Sequence, residues 1–227
     1  MPQLLSAWTA VIPLRAGSKG LPSKNTRPLA GKPLYRHAVD QALQAGAARV
    51  VVTTDIEALW SAELPPEVAL VRRPAELAGD TVPMAPVLVH ALQAAQVSGP
   101  VVLLQATSPL RSADDIRQGL ALYATGAYEL VMSVTEADRS VLKWGRLEGD
   151  RFVPLSDPAH CFANRQSLPP VVKPNGAVYV LDAARFVASG SFVSDHIGAL
   201  VMPAERSHDI DNLQDFERAE ALLRTQP

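Results

Sequence analysis

Cysteine is scarce in this sequence, and long apolar runs are missing from it. Cys161 is the only cysteine among the 227 residues, so neither an internal disulfide nor a cysteine-rich zinc site can form. No stretch approaches the roughly 18 consecutive apolar residues of a membrane span. Residues 1–10 also lack the basic start and apolar centre of a secretory signal. We therefore expect a cytoplasmic protein with no membrane partner.

Acidic residues are absent from the first part of the chain. Residues 1–39 contain no Asp or Glu, but they carry the basic side chains Arg15, Lys19, Lys24, Arg27, Lys32 and Arg36. The formal net charge of the whole chain is only -2, so no global positive field favours a nucleic-acid partner. The local excess of cations instead predicts a site for a small anion.

Short apolar runs alternate with amphipathic segments along most of the chain. The predicted strands cover 8–14, 50–54, 68–71, 101–105, 175–180 and 198–202. The predicted helices cover 33–46, 56–62, 84–96, 113–124 and a closing segment that Asn212 and Asp215 cap. This order predicts a single α/β domain over residues 1–227, with a Rossmann-like, mostly parallel sheet flanked by helices. Ligands in such sheets bind at the carboxyl ends of the strands, here after residues 14, 54 and 105.

The alternation breaks between residues 138 and 172. This stretch contains several prolines, namely Pro154, Pro158, Pro169 and Pro170, and proline interrupts regular elements. The sequence therefore predicts an excursion from the main sheet, which serves as a lid or a subunit contact.

The segment RAGSKGLPSKN, which begins at Arg15, follows the first predicted strand. Gly17 and Gly20 allow the backbone to turn sharply and to point its N–H groups inward. Arg15, Lys19 and Lys24 supply the positive charges that a triphosphate needs. A mobile basic surface loop is the alternative interpretation. Neither a Walker A loop nor the dinucleotide fingerprint G-x-G-x-x-G occurs, so ATPases and dehydrogenases lose their main support.

Two acidic residues, Asp209 and Asp211, lie just ahead of the closing helix. Alternate residues of an extended segment point to the same side, where a cation would relieve the repulsion between the two carboxylates. Mg²⁺ suits this pair because it takes few protein carboxylates and completes its shell with water and phosphate oxygens. The simpler alternative is that Asp211 or Asn212 only caps the helix.

A cationic loop and a carboxylate pair are together the equipment of nucleotidyl transfer. Three further motifs accompany them, RPAELAGDT at 73–81, LLQATSPLR at 103–111 and KPNGAVYV at 173–180. In this order the motifs resemble the CMP-sialic acid synthetases, or acylneuraminate cytidylyltransferases, over nearly the whole chain. The resemblance implies a fold of the nucleotidyltransferase type and a homodimer built on the 138–172 excursion. It also implies CTP and an acidic nine-carbon sugar as substrates, with Mg²⁺ or Mn²⁺ as the metal.

The resemblance also implies a role for each matching residue. The expected nucleotide-binding residues are Arg15, Ser18, Lys19, Lys24, Asn25, Asp80 and Thr81. The expected sugar-binding residues are Gln105, Ser108, Lys143, Arg165, Asn175, Tyr179 and Phe192. The expected metal ligands, Asp209 and Asp211, are also expected to be catalytic, together with Arg15 and Lys19. The alternatives are that Tyr179 and Phe192 are plain core residues and that Lys143 is a solvated side chain.

Two positions depart from the pattern of the resembling family. Pro83 stands near the place where its members often carry small hydroxyl residues against the nucleotide. One hydrogen bond to the nucleotide is therefore expected to be missing. His208 occupies a usually apolar position, and its spacing points it away from the two carboxylates. We predict a structural role for this histidine.

The reaction implied by the resemblance is an in-line attack of the sugar's anomeric hydroxyl on the α-phosphorus of CTP, with pyrophosphate leaving. Legionaminic and pseudaminic acid remain alternative sugars. The eight-carbon Kdo fits less well, because its enzymes usually lack the G-S-K-G-x-x-x-K-N form. A sugar 1-phosphate nucleotidyltransferase would need a G-x-G-T-R-L type opening, which is absent. A catalytically silent nucleotide-sugar binding protein is the alternative from another class.

Overall fold

The computed structural model describes residues 7–225. In chain order the strands are β1 Thr9–Leu14, β2 Pro28–Leu29, β3 Lys32–Pro33, β4 Arg49–Thr54, β5 Val68–Arg72, β6 Pro100–Leu103, β7 Leu130–Ala137, β8 Gly145–Glu148, β9 Arg151–Pro154, β10 Val171–Asp182 and β11 Ile197–Val201. The α-helices are α1 Leu34–Gln44, α2 Met84–Ala94, α3 Ala113–Tyr123, α4 Ala183–Ser189 and α5 Leu213–Thr225. None of the helices in this part of the chain is long and apolar enough to cross a membrane.

A seven-stranded sheet with the order β11-β7-β10-β6-β1-β4-β5 forms the centre of the molecule. β1 pairs in parallel with β4 and β6, β4 pairs in parallel with β5, and β7 pairs in parallel with β11. β10 is antiparallel to both of its neighbours. The prediction of a mostly parallel sheet is therefore confirmed. β10 is the exception because it returns beside β7 without a crossover helix, and only an antiparallel neighbour permits that.

The register of the parallel strands brings three loops together at one edge of the sheet. Leu14 at the end of β1 is paired with Thr54 at the end of β4. Val11 is paired with Leu103, the last residue of β6. Because parallel strands all end at the same edge, the segments after residues 14, 54 and 103 become neighbours.

Both faces of the central strands are buried. Ile12 of β1 packs in a cluster with residues of α1 and α3, whereas Val11 faces the opposite side and packs with residues of α2 and α4. This two-sided burial explains why these strands are continuous apolar runs instead of alternating ones.

A third cluster joins the first loop to the end of the chain. It contains Leu21, Leu29, Leu34, Ile210, Phe216 and Ala219. Burial of these apolar side chains fastens α5 and the segment before it against the loop that follows β1. Residues that are nearly 200 positions apart in the sequence, such as Leu21 and Phe216, are thus held in one place.

Among the strands of the central sheet and the α-helices, β7 and α4 escaped the sequence patterns. β7 begins with the short apolar run LVMSV, which periodicity alone cannot assign to a strand or a helix. α4 has only 7 residues and depends on Asp182, whose carboxylate accepts the backbone N–H of Arg185 at 3.0 Å. The predicted excursion contains the hairpin of β8 and β9 with short 3-10 helices on either side.

Candidate active site

The loop after β1 is anchored at both of its ends. The backbone N–H of Ala16 donates to the Asp55 carboxylate, at the end of β4, at 2.8 Å. The side-chain amide of Asn25 donates to the Arg15 carbonyl at 2.9 Å. Asn25 is buried. These bonds give the loop a defined shape, in which Arg15 and Lys24 line a cleft at the sheet edge.

The same loop contacts the segment that precedes α5. Lys24 is buried, its ammonium donates to the carbonyl of Ile210, and its Nζ lies 3.7 Å from Oδ1 of Asp211. A side chain at Gly20 would collide with the backbone carbonyl of Asp211, so only glycine permits this close approach. The structure therefore brings the cationic loop and the acidic pair together, as the sequence predicts.

The segment of the acidic pair belongs to no regular element, and burial alternates along it, with Ile210 buried between the exposed residues Asp209 and Asp211. Ile210 is fully buried, and its N–H donates to the Thr107 carbonyl at 2.9 Å. The α5 cap is made by Asn212 and Asp215, because Asp215 N–H donates to the Asn212 side chain at 3.0 Å and the Asp215 carboxylate accepts from Asn212 N–H at 3.1 Å. The carboxylate of Asp211 is thus not the cap.

The histidine beside the pair has a structural role, as predicted. The Nε2 atom of His208 lies 2.9 Å from the carbonyl oxygen of Asp215, within hydrogen-bond distance. This contact ties the residue to the first turn of α5. His208 therefore has a partner that keeps its ring at the start of the helix.

The carboxyl group of Asp209, one of the acidic pair, has a raised pKa. Desolvation by the surrounding protein is the main factor that raises the pKa of Asp209, and the charge of Asp211 adds to the rise. A hydrogen bond from Thr107 and the charge of Lys24 oppose it without cancelling it. Asp209 nevertheless keeps contact with solvent. A cation beside the pair would favour the ionised form.

One cleft collects seven of the sixteen predicted site residues. Its lining includes Arg15, Ser18, Lys24, Asn25, Gln105, Asp209 and Asp211. The lining also includes Thr107 from the loop after β6 and Met84 from the start of α2. The cleft lies where the ends of β1 and β6 meet, at the sheet edge that the topology predicts for ligands.

Asp80 bridges two cations of the loop. Its carboxylate forms an ion pair with the Arg15 guanidinium and another with Lys19 Nζ at 2.8 Å. Thr81, which follows it, is exposed. A carboxylate therefore lies beside cations that the sequence assigns to phosphate groups.

Arg73 is a cleft residue that the sequence reasoning missed. It is 6% exposed, it donates to the Thr53 carbonyl at 3.1 Å, and its Nε has no hydrogen-bond partner among residues 7–225. Burial lowers its pKa, Asp55 opposes that effect, and Arg15 adds to it. The available signal was its place at the head of the RPAELAGDT motif, of which only the last two residues received a role.

Several predicted sugar contacts lie elsewhere. Ser108 is fully buried and is not part of the cleft lining. Asn175 is also buried, and its amide is occupied by the Ser133 hydroxyl at 2.5 Å, Ala177 N–H at 3.2 Å and the Ser207 hydroxyl at 2.9 Å. Both residues are expected to face the sugar, and the structure places both side chains inside the fold, where the Ser108 hydroxyl has no hydrogen-bond partner among residues 7–225.

The aromatic pair lies beside the cleft instead of lining it. The ring centroids of Tyr179 and Phe192 are 5.9 Å apart, and Phe192 also packs on Phe186 at 4.6 Å. Phe192 borders a separate pocket next to α4. Burial raises the pKa of Tyr179 and the charge of Asp209 adds to the rise, so Tyr179 is the member of the pair that is near the acidic residues.

The two basic residues of the excursion do not reach the cleft of their own chain. Lys143 ends a short 3-10 helix, and Arg165 forms an ion pair with Asp138 at 3.2 Å. Neither belongs to the cleft lining. A contribution of these residues to catalysis would therefore require a second chain or closure of the excursion as a lid.

The acidic pair fits a cation that needs few protein ligands. Within residues 7–225, no group of three or more His, Cys, Asp and Glu side chains is arranged to hold a metal ion. Asp209 and Asp211 offer two carboxylates beside a cationic loop. This donor set suits Mg²⁺ or Mn²⁺, whose remaining ligands come from water and phosphate oxygens.

The fold is that of the nucleotidyltransferases, as predicted. A solved CMP:2-keto-3-deoxy-manno-octonic acid synthetase complexed with CTP superposes with a TM-score of 0.70 at 19% identity, over 96% of this chain and 99% of that one. At this identity the likeness establishes the architecture.

Sequence comparison identifies the family more narrowly. A family model described as Cytidylyltransferase matches residues 9–152. The N-acylneuraminate cytidylyltransferase of Streptococcus agalactiae serotype V is 31% identical over 209 residues, which are 91% of this chain and 51% of that protein. The CMP-N,N'-diacetyllegionaminic acid synthase of Legionella pneumophila is 32% identical over 228 residues. The match covers 94% of this chain and 95% of that protein. The chain belongs to this cytidylyltransferase family, and the resemblance to acylneuraminate enzymes is confirmed. This chain spans about half the length of the streptococcal relative.

Proposed function

We propose that the protein is a cytidylyltransferase that forms a CMP-sugar acid and pyrophosphate from CTP and a nonulosonic acid of the sialic acid type. The observation that carries this proposal is the junction of Lys24 and Asp211, 3.7 Å apart, in a chain of the cytidylyltransferase family. Cations for phosphate groups and carboxylates for a metal thus face one cleft. We place the reaction in the cytosol, which fits the single cysteine.

The basic side chains of the first loop would bind the triphosphate. Arg15, Lys19 and Lys24 supply positive charge, while Ser18 and Asn25 add hydrogen bonds beside it. Arg15 and Lys19 are paired with Asp80, so a bound triphosphate would compete with that carboxylate for the two cations. The cations would then stabilise the negative charge that develops on the departing pyrophosphate.

The acidic pair would hold Mg²⁺ or Mn²⁺. When bound there, the ion would neutralise charge at the α-phosphate and lower the pKa of the attacking hydroxyl. The protein's own part is to keep Asp209 and Asp211 on one side of the segment, with Ile210 buried between them. Lys24 fixes the segment through the Ile210 carbonyl. Positioning and electrostatics therefore carry the catalysis.

The acceptor sugar would bind next to the nucleotide, against Gln105. Its anomeric hydroxyl would attack the α-phosphorus as the bond to the pyrophosphate oxygen breaks, and its proton would leave to solvent. No enzyme nucleophile is needed. Cys161 lies in the excursion, where its Sγ is 3.7 Å from the Lys143 carbonyl, and it is not part of the cleft lining.

A panel of substrates tests the proposed function. CTP, UTP, ATP and GTP are each combined with sialic, legionaminic and pseudaminic acid and with Kdo, and released pyrophosphate is measured with Mg²⁺. We expect release with CTP and at least one nine-carbon acid, and little with the other nucleotides. The acid with the highest kcat/KM identifies the substrate. No release with any combination would instead favour a catalytically silent binding protein.

The excursion at 138–172 supports a homodimer as part of this proposal. It exposes large apolar side chains that water does not favour, namely Trp144, Leu147, Phe152, Leu155 and Phe162. Phe162 is 92% exposed. If this surface contacts a second copy, Lys143 and Arg165 of each chain can reach the sugar site of the other.

Mixing two defective variants tests the shared site. Arg165→Ala and Asp211→Ala are each expected to be nearly inactive, because one lacks the residue given to the partner and the other lacks a metal ligand. After exchange of subunits at equal amounts, half of the dimers carry one intact site. Activity should then recover to about a quarter of the unmodified enzyme's value.

The control for this experiment is each variant alone, incubated under the same exchange conditions. Light scattering reports the mass of the particle in every sample. No recovery from a mixture that does exchange subunits would mean that Arg165 acts within its own chain, or has no part in the reaction.

A further inference from the structure

β10 contains a bulge beside the cleft. Its pairing with β7 shifts register between Pro174 and Tyr179, and Gly176 has a φ of +76°. A bulge next to an active site commonly redirects a side chain, and here the redirected element is the backbone at Gly176. The bulge is therefore a candidate for a function in the site, not only in the sheet.

Side chains satisfy the backbone groups that the bulge frees from the ladder. Ala177 N–H donates to the Asn175 side chain at 3.2 Å, and Val178 N–H donates to the Ser133 hydroxyl at 2.8 Å. The Ala177 carbonyl accepts from the Arg111 guanidinium at 2.8 Å. These bonds hold the bulge in one shape.

The bulge approaches the side chain of Gln105, which lines the cleft. A Cβ at Gly176 would lie 3.1 Å from Oε1 and 3.5 Å from Cδ of Gln105, and the nearest atoms to it all belong to this amide. A side chain at residue 176 would therefore crowd the Gln105 amide and move it by a few tenths of an ångström.

One guanidinium joins the bulge to the backbone of Gln105. The same nitrogen of Arg111 that donates to Ala177 also donates to the Gln105 carbonyl at 2.9 Å. Arg111 is 2% exposed, and burying a charged group is costly without such bonds. Desolvation lowers its pKa to about 9. The fold therefore buries a charged residue, at a cost in desolvation free energy, where the β10 bulge meets the backbone of Gln105.

We propose that the β10 bulge is a positioning device for Gln105, in which Gly176 and Arg111 fix the amide that contacts the acceptor sugar acid. This inference rests on the proposed function for the identity of the ligand. An amide offers both donors and an acceptor, so its position selects which hydroxyl or acyl group of the sugar it can bind. The bulge therefore affects the binding of the acceptor sugar acid and leaves the binding of CTP nearly unchanged.

The kinetic test is a double-mutant cycle of Gly176→Ala and Gln105→Ala. Gly176→Ala should raise the KM for the sugar acid about tenfold, because the amide must shift by a few tenths of an ångström, while the KM for CTP changes less than about twofold. If Gly176 acts through Gln105, the double variant has the same kcat/KM as Gln105→Ala alone. Losses that multiply in the double variant would overturn the proposal.

Gly126→Ala is the matched control. Gly126 has a similar φ of +73°, and no described atom lies within 4 Å of a Cβ built on it. Both glycine variants carry the same backbone strain and should lower Tm by roughly 2–4 °C. Only Gly176→Ala should change the KM for the sugar acid. An equal rise of this KM in Gly126→Ala would assign the effect to strain and overturn the proposal.

An NMR measurement on the free protein separates this inference from the proposed function. The side-chain amide signal of Gln105 is assigned as the one that Gln105→Ala lacks. We expect this signal to shift in Gly176→Ala and to stay in place in Gly126→Ala. An unmoved signal in Gly176→Ala overturns the positioning device, whether or not the enzyme releases pyrophosphate. Conversely, a shifted signal in a protein without activity keeps the device and removes the proposed ligand.

Discussion

Replacing Asp211 with alanine is expected to reduce turnover about 1,000-fold or more while the protein stays folded. The loss follows because one of the two carboxylates proposed to hold the cation is removed. The fold should survive because the Asp211 side chain is 79% exposed and the cap of α5 is made by Asn212 and Asp215. The measurements are kcat at saturating CTP, sugar acid and Mg²⁺, and Tm by differential scanning calorimetry.

The matched control is Asp114→Ala, on α3. Its side chain is 76% exposed and it pairs with Arg117 on the same helix turn, away from the cleft. It should keep nearly full turnover. Asp211→Asn should be almost as inactive as the alanine variant, because the charge and not the shape is needed. Turnover close to normal in Asp211→Ala would remove this pair from the proposed metal site.

Replacing Lys24 with methionine is expected to lower kcat/KM for CTP by about 100- to 1,000-fold. Methionine keeps most of the volume, so the change mainly removes the buried ammonium and its bond to the Ile210 carbonyl. Lys19→Ala is the comparison, because the Lys19 side chain is 82% exposed. Its loss should weaken CTP binding only about 5- to 10-fold, since exposed charges are screened by solvent.

The pH profile adds a second readout for Lys24. The charge of Lys24 lowers the pKa of Asp209, against the larger effect of desolvation. Without that charge the pKa of Asp209 rises further, so its carboxyl stays protonated to a higher pH. The acidic limb of the kcat/KM profile should therefore move to higher pH in Lys24→Met and not in Lys19→Ala. Equal losses and equal profiles for the two lysines would contradict the distinction drawn from their burial.

Local patterns were sufficient to predict much of the fold. The apolar runs of β1, β4 and β6 are continuous because both of their faces are buried, and that pattern is visible in the residues themselves. The acidic pair could also be oriented from the sequence, because Ile210 between the two aspartates is apolar and alternation does the rest. The direction of β10 could not be derived in this way, since it depends on the path of the chain through the excursion.

The surroundings of some site residues could not be predicted from the sequence because distant partners set them. An asparagine is a common pocket residue, but in this fold the side-chain amide of Asn175 forms hydrogen bonds with Ser133, Ala177 and Ser207. No local spacing reveals partners that are 42 and 32 positions away. Arg73 was missed for a related reason, because its importance lies in burial beside the cleft, and a sequence motif does not report burial.

The third apolar cluster, which packs Leu21 against Ile210 and Phe216, has a consequence for how the protein matures. The proposed phosphate-binding cations are synthesised well before the carboxylates, because Arg15, Lys19 and Lys24 precede Asp209 and Asp211 by most of the described chain. A chain that stops after β10 would contain the proposed phosphate-binding cations and would lack the acidic pair proposed to hold the metal ion. The proposed chemistry can begin only after α5 and the segment before it have packed on the loop that follows β1.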